Sequence, residues 1–247
     1  MTPLLLDGKV AAAALLDFLK PLVETLDPKL VVIQVGDDPA SSSYIKQKVK
    51  SCEKVSMRSE HIHMPSDTTI ETLMQKIDEL NNDEDVTGFF VQLPLPGQLS
   101  GHEPEIIKAI SPMKDVDGFG AYNLGKMFLS KEFEHLPPAT PSGIIRLLEH
   151  FDIEIEGKHA VVVGRSNTVG KPVAVMLLNR NATVTICHSR TKNLSEITKQ
   201  ADILIAAVGK PKMITADMVK EGAVVVDVGI HRTDDGLCGD VDYEGLQ

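Results

Sequence analysis

The chain has 247 residues, which suits one large domain or two domains of roughly 100–150 residues. Its formal net charge of −10 argues against nucleic acid or an anionic membrane surface as a partner. Three cysteines without a CxxC spacing argue against a disulfide framework or a zinc site and favour the cytoplasm. The first residues lack a basic start and no run of 18 apolar residues occurs, so we expect a soluble protein without a signal peptide.

Helix-like and strand-like patterns alternate along the chain. In the first half, the apolar periodicity predicts helices at 9–26, 41–55, 69–81 and 103–110, and strands at 29–36, 59–64 and 86–92. In the second half, it predicts helices at 142–151, 169–179, 193–199 and 215–220, and strands at 159–164, 182–188, 202–209 and 223–229. This order is typical of an α/β fold, a parallel sheet with helices on both faces.

Segment 112–143 is rich in Gly and Pro, as loops between domains often are. We therefore predict an N-terminal domain at 1–139 and a C-terminal domain at 140–247. The final residues, DVDYEGLQ, predict no closing helix.

The sequence VVVGRSNTVGKP (161–172) joins a predicted strand to a predicted helix. Its two glycines, Gly164 and Gly170, have the spacing G-x5-G, which taken alone is a weak dinucleotide signature. Its position between a strand and a helix strengthens the case for dinucleotide binding, because the N–H groups at the start of the helix could bind a pyrophosphate. We expect cofactor binding here, although an ordinary strand–helix turn is the alternative.

The end of the next strand indicates which dinucleotide is bound. NAD sites usually carry an acidic residue there, but this strand ends in Cys187-His188-Ser189-Arg190-Thr191. Arginine donates charge-assisted hydrogen bonds to phosphate, and Arg165 from the first turn can lie nearby, so NADP is favoured over NAD. We expect Cys187 to be a small buried hydrophobe and not a nucleophile.

Helix 41–55 carries lysines that differ in their surroundings. Its apolar face is formed by Ile45, Val49 and Cys52. Lys46 and Lys50 lie on one flank of that face, while Tyr44 and Lys48 lie on the other, four residues apart. A partly desolvated lysine has a lowered pKa and can exchange protons near neutrality. Spacing alone nevertheless favours a solvated lysine.

Other candidate polar residues follow the strand at 86–92. Gln92 stands at its carboxyl end, where ligands bind in parallel sheets. Asp115 and Asp117 could hold a flat heterocycle or merely form a turn. His61 and His63 have no matching acid or cysteine nearby, so we expect no metal site.

Taken together, four motifs resemble one family, the bifunctional methylenetetrahydrofolate dehydrogenase/methenyltetrahydrofolate cyclohydrolases. The motifs are YIKQK (44–48), VQLPLP (91–96), KDVDG (114–118) and VVVGRSNTVGKP (161–172), and further matching segments span essentially the whole chain. The resemblance implies a three-layer α/β folate domain followed by a Rossmann-like NADP domain. It also implies oxidation of 5,10-methylenetetrahydrofolate by NADP+, hydrolysis of the product to 10-formyltetrahydrofolate, and a homodimer formed through the cofactor domains.

The resemblance also assigns roles to residues. It implies that Lys48 transfers protons in the hydrolysis, Tyr44 stacks on the folate, Gln92 tunes the lysine and Asp117 holds the pterin. Leu93 and Pro94 belong to the implied folate site. The implied cofactor site comprises Thr140, Gly164, Arg165, Ser166, Val169, Gly170, His188, Ser189, Arg190, Val208, Gly209, Gly229 and Ile230.

Two departures from the family pattern stand out. Ala139 replaces a cysteine at the domain junction, which we expect to be tolerated. The family continues past GDVDY (239–243) into a Gly- and Pro-rich loop and a final helix, so we expect this chain to be truncated. Two other readings stay open: another NADP-linked dehydrogenase of the same two-domain plan, and a catalytically dead NADP-binding or assembly module.

Overall fold

The computed structural model describes residues 4–234 and 236–246. The chain divides into two compact units, one made of Gly8–Gly125 and the other mainly of Lys126–Gln247. The domain boundary predicted at 139/140 falls at the start of a helix in the second unit. That domain assignment stays a prediction.

The first unit is a parallel sheet with helices on both faces. Its elements are α1 (Gly8–Leu26), β1 (Lys29–Val35), α2 (Pro39–Lys54), β2 (Arg58–Met64), α3 (Ile70–Asn82), β3 (Gly88–Val91), α4 (Glu103–Ala109) and, at its end, α5 (Ala121–Met127). The strands pair in the order β2-β1-β3. Alternate residues of a strand face opposite sides, so Phe90 packs with Ile45 of α2 on one face, while Phe89 packs with Leu73 of α3 and Ile106 of α4 on the other.

The second unit has the doubly wound arrangement. Its elements are α6 (Ala139–His150), β4 (His159–Val163), α7 (Gly170–Leu178), β5 (Thr183–Cys187), α8 (Leu194–Thr198), β6 (Ile203–Ala206), β7 (Val224–Asp227), the hairpin β8 (His231–Thr233) and β9 (Gly236–Cys238), and α9 (Tyr243–Leu246). The four parallel strands have the order β5-β4-β6-β7. From β4 the chain adds β5 on one side of the sheet and then β6 and β7 on the other. The topological switch point, where the direction of strand addition reverses, therefore lies between β4 and β6. These central strands are buried because they are continuous apolar runs.

The predicted fold class is confirmed, but three details of the sequence interpretation are wrong. Helix α6 begins at Ala139 and not at 142, since a proline in the first helical turn, Pro141, costs no hydrogen bond. Residues 215–220 form only a short 3₁₀ turn, where the Thr215 hydroxyl donates to the Asp217 carboxylate in place of a continuing helix. The chain does form a short helix, α9, within DVDYEGLQ.

Candidate active site

Helix α2 places Lys48 beside strand β3. The Asp38 carboxylate accepts a hydrogen bond from the Ser41 N–H at 2.7 Å and so fixes the start of the helix. Ile45 is buried against the sheet, whereas Lys46 and Lys50 are exposed, as predicted. Lys48 is half-buried, which sets it apart from these two lysines.

The Lys48 side chain lies among two aromatic rings and a carboxylate. Its Nζ is 3.6 Å from the centroid of the Phe90 ring and 5.5 Å from that of Tyr44. Asp117 Oδ1 lies 3.7 Å from the same nitrogen. Burial lowers the pKa of Lys48, although Asp117 acts to raise it. The arrangement gives an amine that can lose its proton more readily than a solvated lysine.

Phe90 is the member of this cluster that sequence reasoning missed. The alternation along β3 carried the signal, since it turns Phe90 toward α2 and Phe89 away from it. The ring supplies both desolvation and a cation–π contact for the charged form of Lys48.

The two acids of the KDVDG loop differ in role. Asp115 is buried, and its carboxylate accepts hydrogen bonds from the Gly118 N–H at 3.1 Å, the Gly120 N–H at 2.8 Å and the Asn123 amide at 3.1 Å. It therefore closes the turn. Asp117 projects toward Lys48, and burial raises its pKa, with a further contribution from Asp115 that Lys48 opposes.

Gln92, Leu93 and Pro94 follow β3 directly. The Gln92 N–H donates to the Ile33 carbonyl at 2.8 Å and so extends the sheet pairing by one residue. Its side-chain N–H donates to the Leu93 carbonyl at 2.7 Å, and the Leu93–Pro94 peptide is cis. Among the described residues, the buried Gln92 Oε1 has no hydrogen-bond donor.

His63 contacts the turn that follows β1, where an acidic side chain that the sequence interpretation did not place near it, Asp37, lies close. Its Nε2 lies 3.0 Å from the Gly36 carbonyl oxygen and 3.2 Å from Asp37 Oδ1. Across residues 4–234 and 236–246, no group of three or more His, Cys, Asp and Glu side chains is placed to hold a metal ion.

The turn after β4 has the close backbone contacts of a dinucleotide cradle. Gly164 has φ +138°, and a Cβ there would overlap the Ala207 carbonyl. A Cβ at Gly170 would overlap the Gly164 carbonyl, so both positions require glycine. Ser166 Oγ accepts hydrogen bonds from the N–H groups of Val169 at 3.1 Å and Gly170 at 3.2 Å, at the start of α7.

The loop after β5 presents the residues expected at a 2′-phosphate. His188 Nδ1 accepts a hydrogen bond from the Arg190 N–H at 3.1 Å, and the His188 N–H donates to Thr191 Oγ1 at 2.8 Å. Ser189 and Arg190 are exposed beyond this closed turn, as is Arg165 beyond β4. Burial raises the pKa of the Cys187 thiol, in line with the predicted hydrophobe.

The remaining cofactor candidates follow β6 and β7, apart from Thr140, which is exposed in the first turn of α6. Val208 and Gly209 come after β6, and Gly229 and Ile230 after β7. Parallel strands end at the same edge of their sheet, so the structure brings the loops after all four strands to one edge. Sequence reasoning missed a further residue at this edge, the buried Asp240.

Both units match models of a single protein family. The model described as "Tetrahydrofolate dehydrogenase/cyclohydrolase, catalytic domain" matches residues 6–117, and "Tetrahydrofolate dehydrogenase/cyclohydrolase, NAD(P)-binding domain" matches residues 138–247. The chain belongs to the tetrahydrofolate dehydrogenase/cyclohydrolase family. The bifunctional protein FolD of Halalkalibacterium halodurans is 52% identical to it, with 100% of this chain and 89% of that protein covered.

Solved structures of the family have the same fold. The bifunctional FolD of Campylobacter jejuni superposes with a TM-score of 0.93 at 44% identity, covering 98% of this chain and 87% of that one. FolD of Trypanosoma brucei, solved with NADP and an inhibitor, gives a TM-score of 0.89 at 31% identity, covering 97% and 86%. A shikimate dehydrogenase of Aquifex aeolicus shares the fold alone, with a TM-score of 0.52 at 14% identity and coverage of 84% and 81%.

Proposed function

We propose that the chain oxidises 5,10-methylenetetrahydrofolate with NADP+ and hydrolyses the resulting 5,10-methenyltetrahydrofolate to 10-formyltetrahydrofolate, and that Lys48 is the proton-transfer residue. One observation supports this most strongly: the Lys48 amine is desolvated against Phe90 and lies 3.7 Å from Asp117. Membership of the family supplies the substrate class and the cofactor.

Hydrolysis requires a group that moves protons. Water adds to the cationic carbon of the methenyl bridge and must lose a proton as the C–O bond forms. Neutral Lys48 accepts that proton, and its conjugate acid returns one to N5 as the carbon–N5 bond breaks. The hydroxyl oxygen of the adduct forms the C=O bond and releases its remaining proton to solvent, which leaves the formyl group on N10. The lowered pKa of Lys48, caused by its burial, makes the neutral amine more accessible than in a solvated lysine.

Tyr44, Gln92 and Asp117 orient the folate in this proposal. Tyr44 is 52% exposed and offers a ring face for stacking. Asp117 can bind donors on the pterin edge, and the unpaired Gln92 Oε1 can accept a hydrogen bond from the substrate or from protonated Lys48. Leu93 and Pro94 form the adjoining wall of the folate site.

The oxidation requires orientation more than acid–base help. NADP+ supplies the acceptor for a hydride, and a folate nitrogen donates its lone pair as the C–H bond breaks. The chain's contribution is binding. The N–H groups of Val169, Gly170 and Lys171 at the start of α7 already donate to Ser166, so the expected backbone site for the pyrophosphate is occupied from within the turn. The exposed side chains of Arg165, Ser189 and Arg190 suit the 2′-phosphate.

The direct test is to mix the protein with NADP+ and methylenetetrahydrofolate and to follow methenyl formation and decay by absorbance. We expect formation to require NADP+, followed by hydrolysis faster than in buffer alone. Cofactor binding without turnover would favour the catalytically dead module, and absence of both would refute the assignment.

We further infer a homodimer formed through the cofactor domain, supported by the unpaired edge of β5. This strand lies at the end of the four-stranded sheet and contains neither proline nor lysine, two residues that commonly protect edges. Ile186 on β5 is 42% exposed. If the wild type sediments as a dimer and Ile186→Lys as a monomer, the result supports this interface. If both proteins sediment as monomers, or both as dimers, the result counts against it.

We also infer a cytoplasmic location, because the cysteines Cys52, Cys187 and Cys238 are all free, as in reducing compartments. Among the described helices, none combines the length and the apolar character needed to cross a bilayer. Fractionation of cells that produce the protein tests the location, and recovery in the culture medium would contradict it.

A further inference from the structure

A buried carboxylate holds the loop that follows β6. Asp240 is 0% exposed, and its Oδ2 accepts hydrogen bonds from the N–H groups of Val208 at 2.5 Å and Gly209 at 3.0 Å. Its Oδ1 accepts from the Lys210 N–H at 2.9 Å. Three successive backbone donors therefore converge on one side chain that is distant in the sequence.

Two neighbours fix Asp240 in turn. His231 Nε2 lies 2.7 Å from Asp240 Oδ1 and donates the fourth hydrogen bond to this carboxylate. Asp227, the last residue of β7, accepts from the N–H groups of Asp240 and Gly229, both at 2.9 Å, through Oδ1 and from the Val241 N–H at 3.0 Å through Oδ2. The loops after β6 and β7 are thus joined through two carboxylates.

These contacts keep Asp240 charged despite its burial. Burial acts to raise the pKa of Asp240, but the hydrogen bonds from His231 and from the backbone N–H groups of the loop outweigh it, and the net shift is downward. A buried, charged carboxylate is unfavourable unless it is fully hydrogen-bonded. The charge of Asp240 therefore requires its four hydrogen-bond donors, and the charge in turn strengthens those four hydrogen bonds.

The network reaches the dinucleotide turn through the backbone. Ala207 immediately precedes the held loop, and its carbonyl oxygen occupies the space that a side chain at Gly164 would need. A shift of the 208–210 loop would therefore move Ala207 relative to the turn at Gly164. Gly229 in the loop after β7 also packs tightly on the network, since a Cβ at this position would overlap the Asp240 carboxylate.

We propose that Asp240 is a positioning residue of the dehydrogenase reaction: with His231 and Asp227 it fixes the loops after β6 and β7, and thereby sets the affinity for NADP+. This inference rests on the cofactor site proposed above. Asp240 belongs to the unit that contains the proposed cofactor site and Lys48 to the other unit, so we expect its effect to fall on the NADP+-dependent reaction.

The test compares Asp240→Asn with Asp202→Asn in the whole protein. An asparagine side chain has the same shape as aspartate but only one acceptor oxygen. At least one of the three N–H groups of the 208–210 loop therefore loses its hydrogen bond. Asp202 is a matched control, because it also accepts a backbone hydrogen bond, from the His159 N–H at 2.9 Å, but at the opposite edge of the same sheet. The measurements are the KM for NADP+, the Kd of NADPH by fluorescence, kcat, and the rate of methenyltetrahydrofolate hydrolysis, which needs no dinucleotide.

We expect Asp240→Asn to raise the KM for NADP+ and the Kd of NADPH about tenfold or more, because hydrogen bonds to a charged group are lost. Hydrolysis should stay within about twofold of the wild type, and Asp202→Asn should leave all four quantities unchanged. Unchanged NADP+ affinity in Asp240→Asn, or an equal loss of both activities in a folded variant, would overturn the proposal.

A second variant covers the case in which Asp240→Asn does not fold. His231→Leu removes one donor from Oδ1 and leaves the three backbone contacts. We expect it to raise the KM for NADP+ by about threefold with hydrolysis intact, and an unchanged KM would overturn the proposal. If the wild type itself lacks hydride transfer, the proposed function fails instead, so the two failures are distinguishable.

Discussion

Replacing Lys48 with methionine separates the two proposed reactions. Methionine keeps most of the side-chain volume against Phe90 but has no group that can accept a proton. Proton transfer by a positioned side chain contributes a factor of about 10²–10⁴, so hydrolysis of methenyltetrahydrofolate should fall by that factor. This corresponds to about 3–5 kcal/mol in activation free energy.

The dehydrogenase reaction should survive in the same variant. Hydride transfer needs no proton from Lys48, so we expect its rate to stay within about tenfold of the wild type, the remaining loss reflecting folate orientation. Methenyl absorbance reports both steps: in Lys48→Met the signal should rise in the presence of NADP+ and then persist.

Lys50→Met is the matched control, since Lys50 lies two residues away on the same helix and is exposed on the other flank. It should leave both rates unchanged. Equal loss of the two activities in Lys48→Met, or hydrolysis at the wild-type rate, would refute the role given to Lys48.

Three further predictions concern the folate site, the cofactor turn and the core. Asp117 acts to raise the pKa of Lys48, so Asp117→Asn should move the pH profile of hydrolysis to lower pH; a shift to higher pH would contradict this. Gly164→Ala should weaken NADPH binding, measured by fluorescence, more than tenfold, since the new Cβ meets the Ala207 carbonyl; intact binding would show that the contact is unimportant. Leu148→Ala, at a 0% exposed site of α6, should lower the free energy of unfolding by about 2–5 kcal/mol in urea titrations; a change below about 1 kcal/mol would mean that the site collapses without a cavity.

The sequence by itself determined the fold class and the order of elements. Continuous apolar runs such as 161–163 and 203–206 predict strands buried in a parallel sheet that is covered on both faces, and the structure has strands there. Helical spacing alone also separated Lys48 from Lys46 and Lys50, because residues four apart share a face. It left open whether Lys48 is desolvated, which depends on a ring from another element.

Only the tertiary structure decided the surroundings of these residues. Phe90 reaches Lys48 because β3 lies beside β1 under α2, a pairing that no local pattern encodes. Likewise Asp115 and Asp117 are equivalent in sequence, yet the backbone turn encloses the first and directs the second toward Lys48. The contact of Asp240 with the loop at 208–210 joins residues about 30 positions apart in the sequence. Such a contact depends on how the strands are connected and ordered in the sheet, which the spacing of neighbouring residues does not reveal.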